Sequence, residues 1–374
     1  KLVFILVLLV QFSHALENKK IDVKIGVLAK RGIAKALDKW EPTAKYLNNY
    51  YTQYNFKIVP MGFDEIPLLV SNSLVDFVIV NSGIYINLAV KYNINRIATL
   101  KNHLKSNRDV TKFGSVIFVK NSSSINTLNQ INNKNIAAVH ETSFGGWIMA
   151  KREILDANID IKSFKKLVFL NTHDNVVKSV LNDESDVGIV RTDTLERMAS
   201  EKRIDISKIK VLNKKEYKDF PFLSSSRLYP EWPIAKLEHT SSKVAKDVAL
   251  ALMNMSSDSF AAKVSKIDGW TIPENYNSVD DILKTLHLSP YEKYGQINIQ
   301  SVVLQYWKSI VLFSILLLSL LFVIYYIFKL NKKLESERFR LAKNEEQFRS
   351  TFEQSGIGIV YINFEGYFIR INQQ

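Results

Sequence analysis

Ser143, Gly145 and Gly146 stand in "NIAAVHETSFGGWIMAKRE" (135–153), where a short apolar run breaks into polar residues and then a helix-like pattern. The first N–H groups of a helix are unpaired and carry about half a positive charge. A tetrahedral or sulfonate-like oxyanion fits there without a formal cation, and Ser143 adds a hydroxyl donor. The competing reading is packing, with the glycines letting the helix approach its strand closely. Thr172 and His173 open a second helical pattern, "HDNVVKSVL". Thr172 is either a donor or an N-cap. His173 is either a satisfied surface residue or a donor whose charge depends on pH. Arg191 and Thr192 directly follow an apolar strand pattern. A guanidinium fork grips oxyanions in bidentate fashion, and the alternative for Arg191 is a salt bridge to Asp193. Asn81, Ser82 and Tyr85 offer neutral donors after another such strand. Lys30 and Arg31 are either site cations or solvated loop charges, and Arg227 and Tyr229 lie in a Pro-bounded loop.

This chemistry is binding rather than catalysis. No Ser/His/Asp spacing stands out, and the His residues at 103, 140, 173, 239 and 287 show no metal-ligand spacing. The chain has no cysteine, which removes disulfides and thiolate metal sites. No catalytic residue, metal or cofactor is therefore expected in this part. The net charge of +13 is spread along the chain among many Asn. No basic cluster is interleaved with stacking aromatics, so no nucleic-acid partner is expected.

The elements that must position these residues repeat at an offset of 110–111 residues. "KIGVL" (24–28) meets "NIAAV" (135–139), "FKIVPMGFDEI" (56–66) meets "LVFLNTHDNVV" (167–177), and "VDFVIVNSGIY" (75–85) meets "SDVGIVRTDTL" (185–195). Short apolar runs alternating with amphipathic helices predict two similar α/β lobes with parallel sheets. Val176, Val177, Val180 and Leu181, for example, make one helical face. Ligands of open α/β sheets bind beyond the carboxyl ends of strands, where the polar residues above all fall. The segment "KFGSVIFVK" (112–120) reads as the first crossing between lobes, with the return near 195–215. Lobe 1 is expected over about 21–112 and 211–291, and lobe 2 over about 113–210.

The flanks concern a membrane. Residues 1–15 have a basic start, an apolar run and a small-x-small ending at Ser13-His14-Ala15, which reads as a secretory signal peptide. Residues 309–328, "SIVLFSILLLSLLFVIYYIF", are twenty uncharged residues bounded by Lys308 and Lys329. They are long enough to span a bilayer, with Tyr306, Trp307, Tyr325 and Tyr326 near the interfaces. The twenty residues after the span carry six Lys or Arg and the twenty before carry two, which keeps the C-terminal side in the cytoplasm. Beyond it, Ile327, Leu334, Leu341 and Phe348 fall seven apart, one seam of a short parallel dimeric helix over 329–343. The chain does not begin with Met and stops inside what reads as an unfinished domain, so a longer protein is expected.

The exported part resembles the phosphate/phosphonate-binding type of periplasmic solute-binding protein, in the version fused to sensor kinases such as tetrathionate sensors. The matching stretches are "IGVLAKRG" (25–32), "KWEPTAKYL" (39–47), "VDFVIVNSGIY" (75–85), "SFGGW" (143–147), "THD" (172–174), "VRTDTLERMA" (190–199), "SRLYPEWP" (226–233) and "GWTIPENY" (269–276). The resemblance implies a two-lobed type II periplasmic-binding-protein fold over 21–291. It also implies an anion held by Ser143 with Gly145 and by Thr172 with His173. Trp147 stands where phosphonate binders are expected to carry a smaller or phenolic residue. "NEEQFRSTFEQSGIGIVYINFEGYFIRINQ" resembles the opening of a PAS domain, truncated over 344–374. Together these imply an inner-membrane sensor for phosphonate, phosphate or a sulfur oxyanion. Its output is then a histidine kinase acting on a response regulator, or a diguanylate cyclase. A tethered binding protein of an ABC transporter is the alternative. Arg191→Ala and Ser143→Ala are each expected to weaken binding and to leave ligand-free stability nearly unchanged.

Overall fold

A computed structural model describes residues 20–103, 110–296 and 299–372. The signal-peptide reading of 1–15 falls outside the described residues. The chain forms two compact units, divided between Tyr294 and Gly295.

In the first unit, β1 (Ile21–Leu28), α1 (Ile33–Tyr50), β2 (Tyr54–Met61), α2 (Ile66–Ser71) and β3 (Phe77–Ile79) make a βαβαβ unit. Its strands are parallel in the order β3-β1-β2. α1 lays Ala36, Trp40, Ala44 and Leu47 on the sheet, a stripe at helical spacing. α3 (Ser82–Tyr92) and β4 (Asn95–Asn102) follow, and the chain leaves the lobe through β5 (Lys112–Phe113).

The second lobe opens with β6 (Ser115–Lys120) and then repeats the first unit: β7 (Asn135–Ala138), α4 (Met149–Asp156), β8 (Lys166–Phe169), α5 (His173–Leu181) and β9 (Val187–Arg191). The order β9-β7-β8 is again parallel. The repeat seen in the sequence is thus one supersecondary unit used twice. Val176, Val177 and Val180 are fully buried against this sheet, as their spacing predicts, while Leu181 is only half-buried. α6 (Thr194–Ser200) and β10 (Ile209–Leu212) complete the lobe, with β10 antiparallel to β6.

The return crossing differs from expectation. It is β11 (Tyr229–Pro230), paired with β5, and not a segment near 195–215. The reason lies in three buried serines. Ser225 Oγ accepts from the Ile117 N–H at 2.9 Å and donates to the Leu212 carbonyl at 2.6 Å, and Ser226 Oγ accepts from the Ser115 N–H at 2.8 Å. With Ser224 also fully buried, the segment after β10 stays stitched to the second sheet. β12 (Pro233–Lys236), α7 (Ser242–Met253), α8 (Phe260–Ser265), β13 (Ile267–Thr271) and α9 (Asn277–Thr285) then complete the first lobe. Its sheet has the order β13-β4-β12-β3-β1-β2.

The second unit is dominated by α10 (Ile299–Glu353), 55 residues with neither Pro nor Gly. The expected span at 309–328, the heptad segment and the first helix of the terminal pattern are one continuous helix. Among the described residues it is the helix long and apolar enough to cross a membrane. A hairpin of β14 (Val360–Ile362) and β15 (Phe368–Ile371) follows, turned at Gly366 with φ of 89°.

Candidate functional site

The α/β topology brings three helix N-termini to one cavity between the lobes. Leu28, Lys30, Phe63 and Asn81 line it from the first lobe and Ser143, Gly145, His173 and Arg191 from the second, with Phe113 and Trp232 at the crossing strands. Its volume of about 10 Å³ is room for about one water molecule.

Asn81 caps α3, with its Oδ1 accepting from the Ile84 N–H at 2.9 Å, and its amide reaches the Thr142 carbonyl of the other lobe at 3.4 Å. Ser143 is extended and precedes a π-turn, Phe144–Ile148, that runs into α4. Its side chain makes no cap bond, so the hydroxyl is not committed to the helix. π-turns of this kind leave N–H groups displaced from the regular ladder.

The glycine pair is needed for packing. A Cβ on Gly145 would lie 2.6 Å from the Arg191 Cβ, and one on Gly146 would lie 2.5 Å from Val139 Cγ2 and 2.6 Å from Ser143 Oγ. Gly145 also lines the cavity, so at that position close packing and backbone access coincide. Gly146→Ala should cost about 1–3 kcal/mol by overpacking, read as a lowered urea midpoint at unchanged slope.

His173 is the first residue of α5 and is buried. Its Nδ1 accepts from the Arg191 N–H at 3.3 Å, and its own N–H donates to the Lys30 carbonyl across the cleft at 3.3 Å. Burial, with Lys30 and Arg191 nearby, holds its pKa well below the usual range. The ring is therefore neutral, and with Nδ1 occupied as an acceptor, Nε2 carries the proton as a donor. Burial and the Arg191 charge likewise push the Lys30 ammonium well below its ordinary value. It lies 5.3 Å from the Trp232 ring centroid and 3.9 Å from Asp193.

Arg191 serves two ends. Its guanidinium carbon lies 4.5 Å from the centroid of Phe113, Nη2 donates to Glu231 Oε1 at 2.6 Å, and Nε is 3.4 Å from Asp193. Glu231 is fully buried beside the crossing strand. The expected salt bridge to Asp193 exists, but the closer partner is Glu231. The expectation that Arg191→Ala leaves stability unchanged is corrected accordingly.

Four of the expected residues point their polar groups elsewhere. Ser82 Oγ donates to the Pro230 carbonyl, and Tyr85 accepts from Arg96 Nη1 at 3.1 Å. Thr172 caps α5 through the Asn175 N–H at 3.2 Å, and Thr192 Oγ1 accepts from the Gly114 N–H at 3.1 Å. Arg227 pairs with Glu153 at 3.0 Å, and the Tyr229 ring packs 5.2 Å from Phe144. Leu28, Phe63, Phe113 and Trp232 join the cavity without having been singled out.

Arg31 is not a solvated loop charge. Its Nη2 donates to Asp174 at 3.0 Å and to Glu201 at 2.9 Å, so one guanidinium ties the first lobe to two carboxylates of the second. Those bonds hold the Glu201 pKa down at about 2. Breaking this latch removes contacts made only when the lobes are together, which lowers the closed fraction and the apparent affinity with it. Arg31→Ala should weaken ligand binding about tenfold and enlarge the radius of gyration of the ligand-free protein.

A two-lobed frame with paired crossing strands and an inter-lobe cavity ringed by helix N-termini defines a solute-binding domain of the periplasmic type. Residues 25–280 match the family described as the periplasmic substrate-binding protein of phosphonate ABC transporters, and the chain belongs to that family. It is 25% identical over 346 residues to the tetrathionate sensor histidine kinase TtrS of Salmonella typhimurium, covering 89% of this chain and 56% of that protein. The chain thus spans about half the length of this curated relative. Among solved structures it is similar in fold to PhnD1 of Prochlorococcus marinus (MIT 9301) in complex with methylphosphonate. That match has a TM-score of 0.60 at 17% identity and covers 72% of this chain and 99% of that one. The binding protein component of a Pseudomonas aeruginosa ABC phosphonate transporter matches with a TM-score of 0.59 at 14% identity, over 87% and 99%.

Proposed function

We propose that this chain is the sensing portion of a membrane-bound sensor histidine kinase, and that it binds a small oxyanion between its lobes. The observation that carries the reading is the convergence of the starts of α3, α5 and the π-turn before α4 on one cavity shared with Lys30 and Arg191. Each start carries partial positive charge, and Ser143, His173 and Lys30 line the same cavity with polar side chains, so negative oxygen is the complementary guest. The likeness to a tetrathionate sensor kinase and the apolar helix after the domain support the signalling role.

In this reading the ligand favours the joined lobes through contacts that only this arrangement makes, and the hinge is the β5–β11 pair. The Lys and Arg excess after residue 328 supports a binding domain in the periplasm, behind a cleaved signal peptide over 1–15. The hairpin after α10 begins a PAS domain. Two copies pair through the heptad seam, and the kinase passes phosphate to a response regulator.

The test is a thermal-unfolding screen of the full chain in detergent against sulfate, thiosulfate, tetrathionate, phosphate and methylphosphonate. A ligand at 100 times its Kd should add about 2.7 kcal/mol. Stabilisation by an amino acid or a sugar and by no oxyanion would overturn the proposal.

A further inference from the structure

Beside the small cavity lies a larger chamber of about 200 Å³, and Leu28, Lys30, Arg191 and Trp232 line both. Its remaining wall comes from Arg31, α1, Leu100 of β4, α8 and the segments around Arg197, Glu201 and Lys266. The charge is one-sided: seven Lys or Arg side chains line it against two carboxylates, Asp38 and Glu201. Glu201 is already engaged by Arg31 at 2.9 Å, Lys35 at 3.4 Å and Lys266 at 3.6 Å. Asp38 is exposed. An ammonium group entering this chamber meets seven cationic side chains and, outside those ion pairs, one exposed carboxylate, Asp38.

Two donors here lack acceptors. Among the described residues, no carboxylate forms an ion pair with Lys39, whose ammonium lies 5.0 Å from the Trp40 ring centroid. Burial and the neighbouring Arg197 depress that ammonium to about 7. The Trp232 Nε1–H is buried with no hydrogen-bond partner. An indole N–H only donates, and an ammonium only donates, so both are complementary to an anion's oxygen. Apolar surface is present too, from Trp40, Trp232 and Leu100, enough to cover a short uncharged linker.

We infer that the ligand is an elongated anion charged at both ends. One end lies at Ser143, Gly145 and His173, the other in the Lys39 chamber, with Lys30 between them. This rests on the oxyanion reading of the cleft and narrows it: one-ended oxyanions fill only half the site, and amino-terminated phosphonates are repelled from the other half. Lys39 and Trp232 supply the second end's donors.

The experiment is calorimetric titration of the full chain in detergent with matched probes, propane-1-sulfonate against propane-1,3-disulfonate and propylphosphonate against propane-1,3-diphosphonate. The two-ended member of each pair should bind about tenfold or more tightly than its one-ended partner. Lys39→Gln should erase that difference, and Lys39→Arg should restore it. Equal affinities within each pair would overturn this inference and leave the oxyanion reading standing. Absence of binding by all four probes, with binding of a neutral solute, would sink both. Should Lys39→Gln not fold, the wild-type comparison alone still decides.

Discussion

Arg191→Ala should lower the unfolding free energy of the ligand-free protein by about 3–5 kcal/mol, because it leaves a buried carboxylate without its counter-charge. Glu231 is fully buried, and its Oε1 is held by Arg191 at 2.6 Å and by the Asn102 amide at 3.2 Å. Removing the guanidinium also opens space against Phe113 and Trp232. The double variant Arg191→Met with Glu231→Gln removes both charges and should recover much of the loss. Urea unfolding of the single and double variants measures the coupling directly. Ser143→Ala removes only a hydroxyl uncommitted to the fold, so it should weaken anion binding at nearly unchanged stability. An Arg191→Ala protein as stable as wild type would show that the Glu231 pair is not structural.

The second large effect is on pH. Glu196 lies on α6, with Oε1 accepting from the Leu223 N–H at 2.7 Å and Oε2 buried without a partner. Burial pushes its carboxyl up to about 7. The folded state therefore holds this proton more tightly than the unfolded chain. The resulting stability is complete below the unfolded pKa near 4.5 and is lost as pH rises to about 7, about 3 kcal/mol in all. His173 works in the opposite sense. Held below its usual range, it contributes stability above pH 6.5 that falls away on acidification. Comparison with Glu196→Gln separates the two. The variant should gain on wild type steadily from pH 4.5 to 7 and be the more stable protein at pH 8. Parallel stability curves across that range would contradict the buried proton.

The lobes were readable in the sequence because a βαβαβ unit imposes spacing even where identities are few. Asn81, Ser143, Gly145, His173 and Arg191 line one cavity because strand ends in such sheets face the cleft. Their neighbours Ser82, Tyr85, Thr172 and Thr192 share that position but spend their polar atoms on a cap, the crossing segments and Arg96 of β4, and a run of polar residues does not say which one turns inward. The return crossing lies later than the repeat suggests because Ser225 and Ser226 bind the second sheet through their hydroxyls, a contact with no periodic signature. Lys39 is in the middle of an amphipathic helix, beside the buried stripe of Ala36 and Trp40. Its neighbour Trp40 was the available hint, but the chamber exists only once Lys266 and Trp232 arrive from distant segments.

The uninterrupted run of α10 fixes an angular relationship between its two ends. Each residue of an α-helix turns the chain by about 100°. Adding or deleting one residue anywhere between Ile299 and Glu353 swings whatever follows to a different side, while a seven-residue change nearly restores the facing direction. Spacing within this shaft is thus set by rotational phase as much as by bilayer thickness.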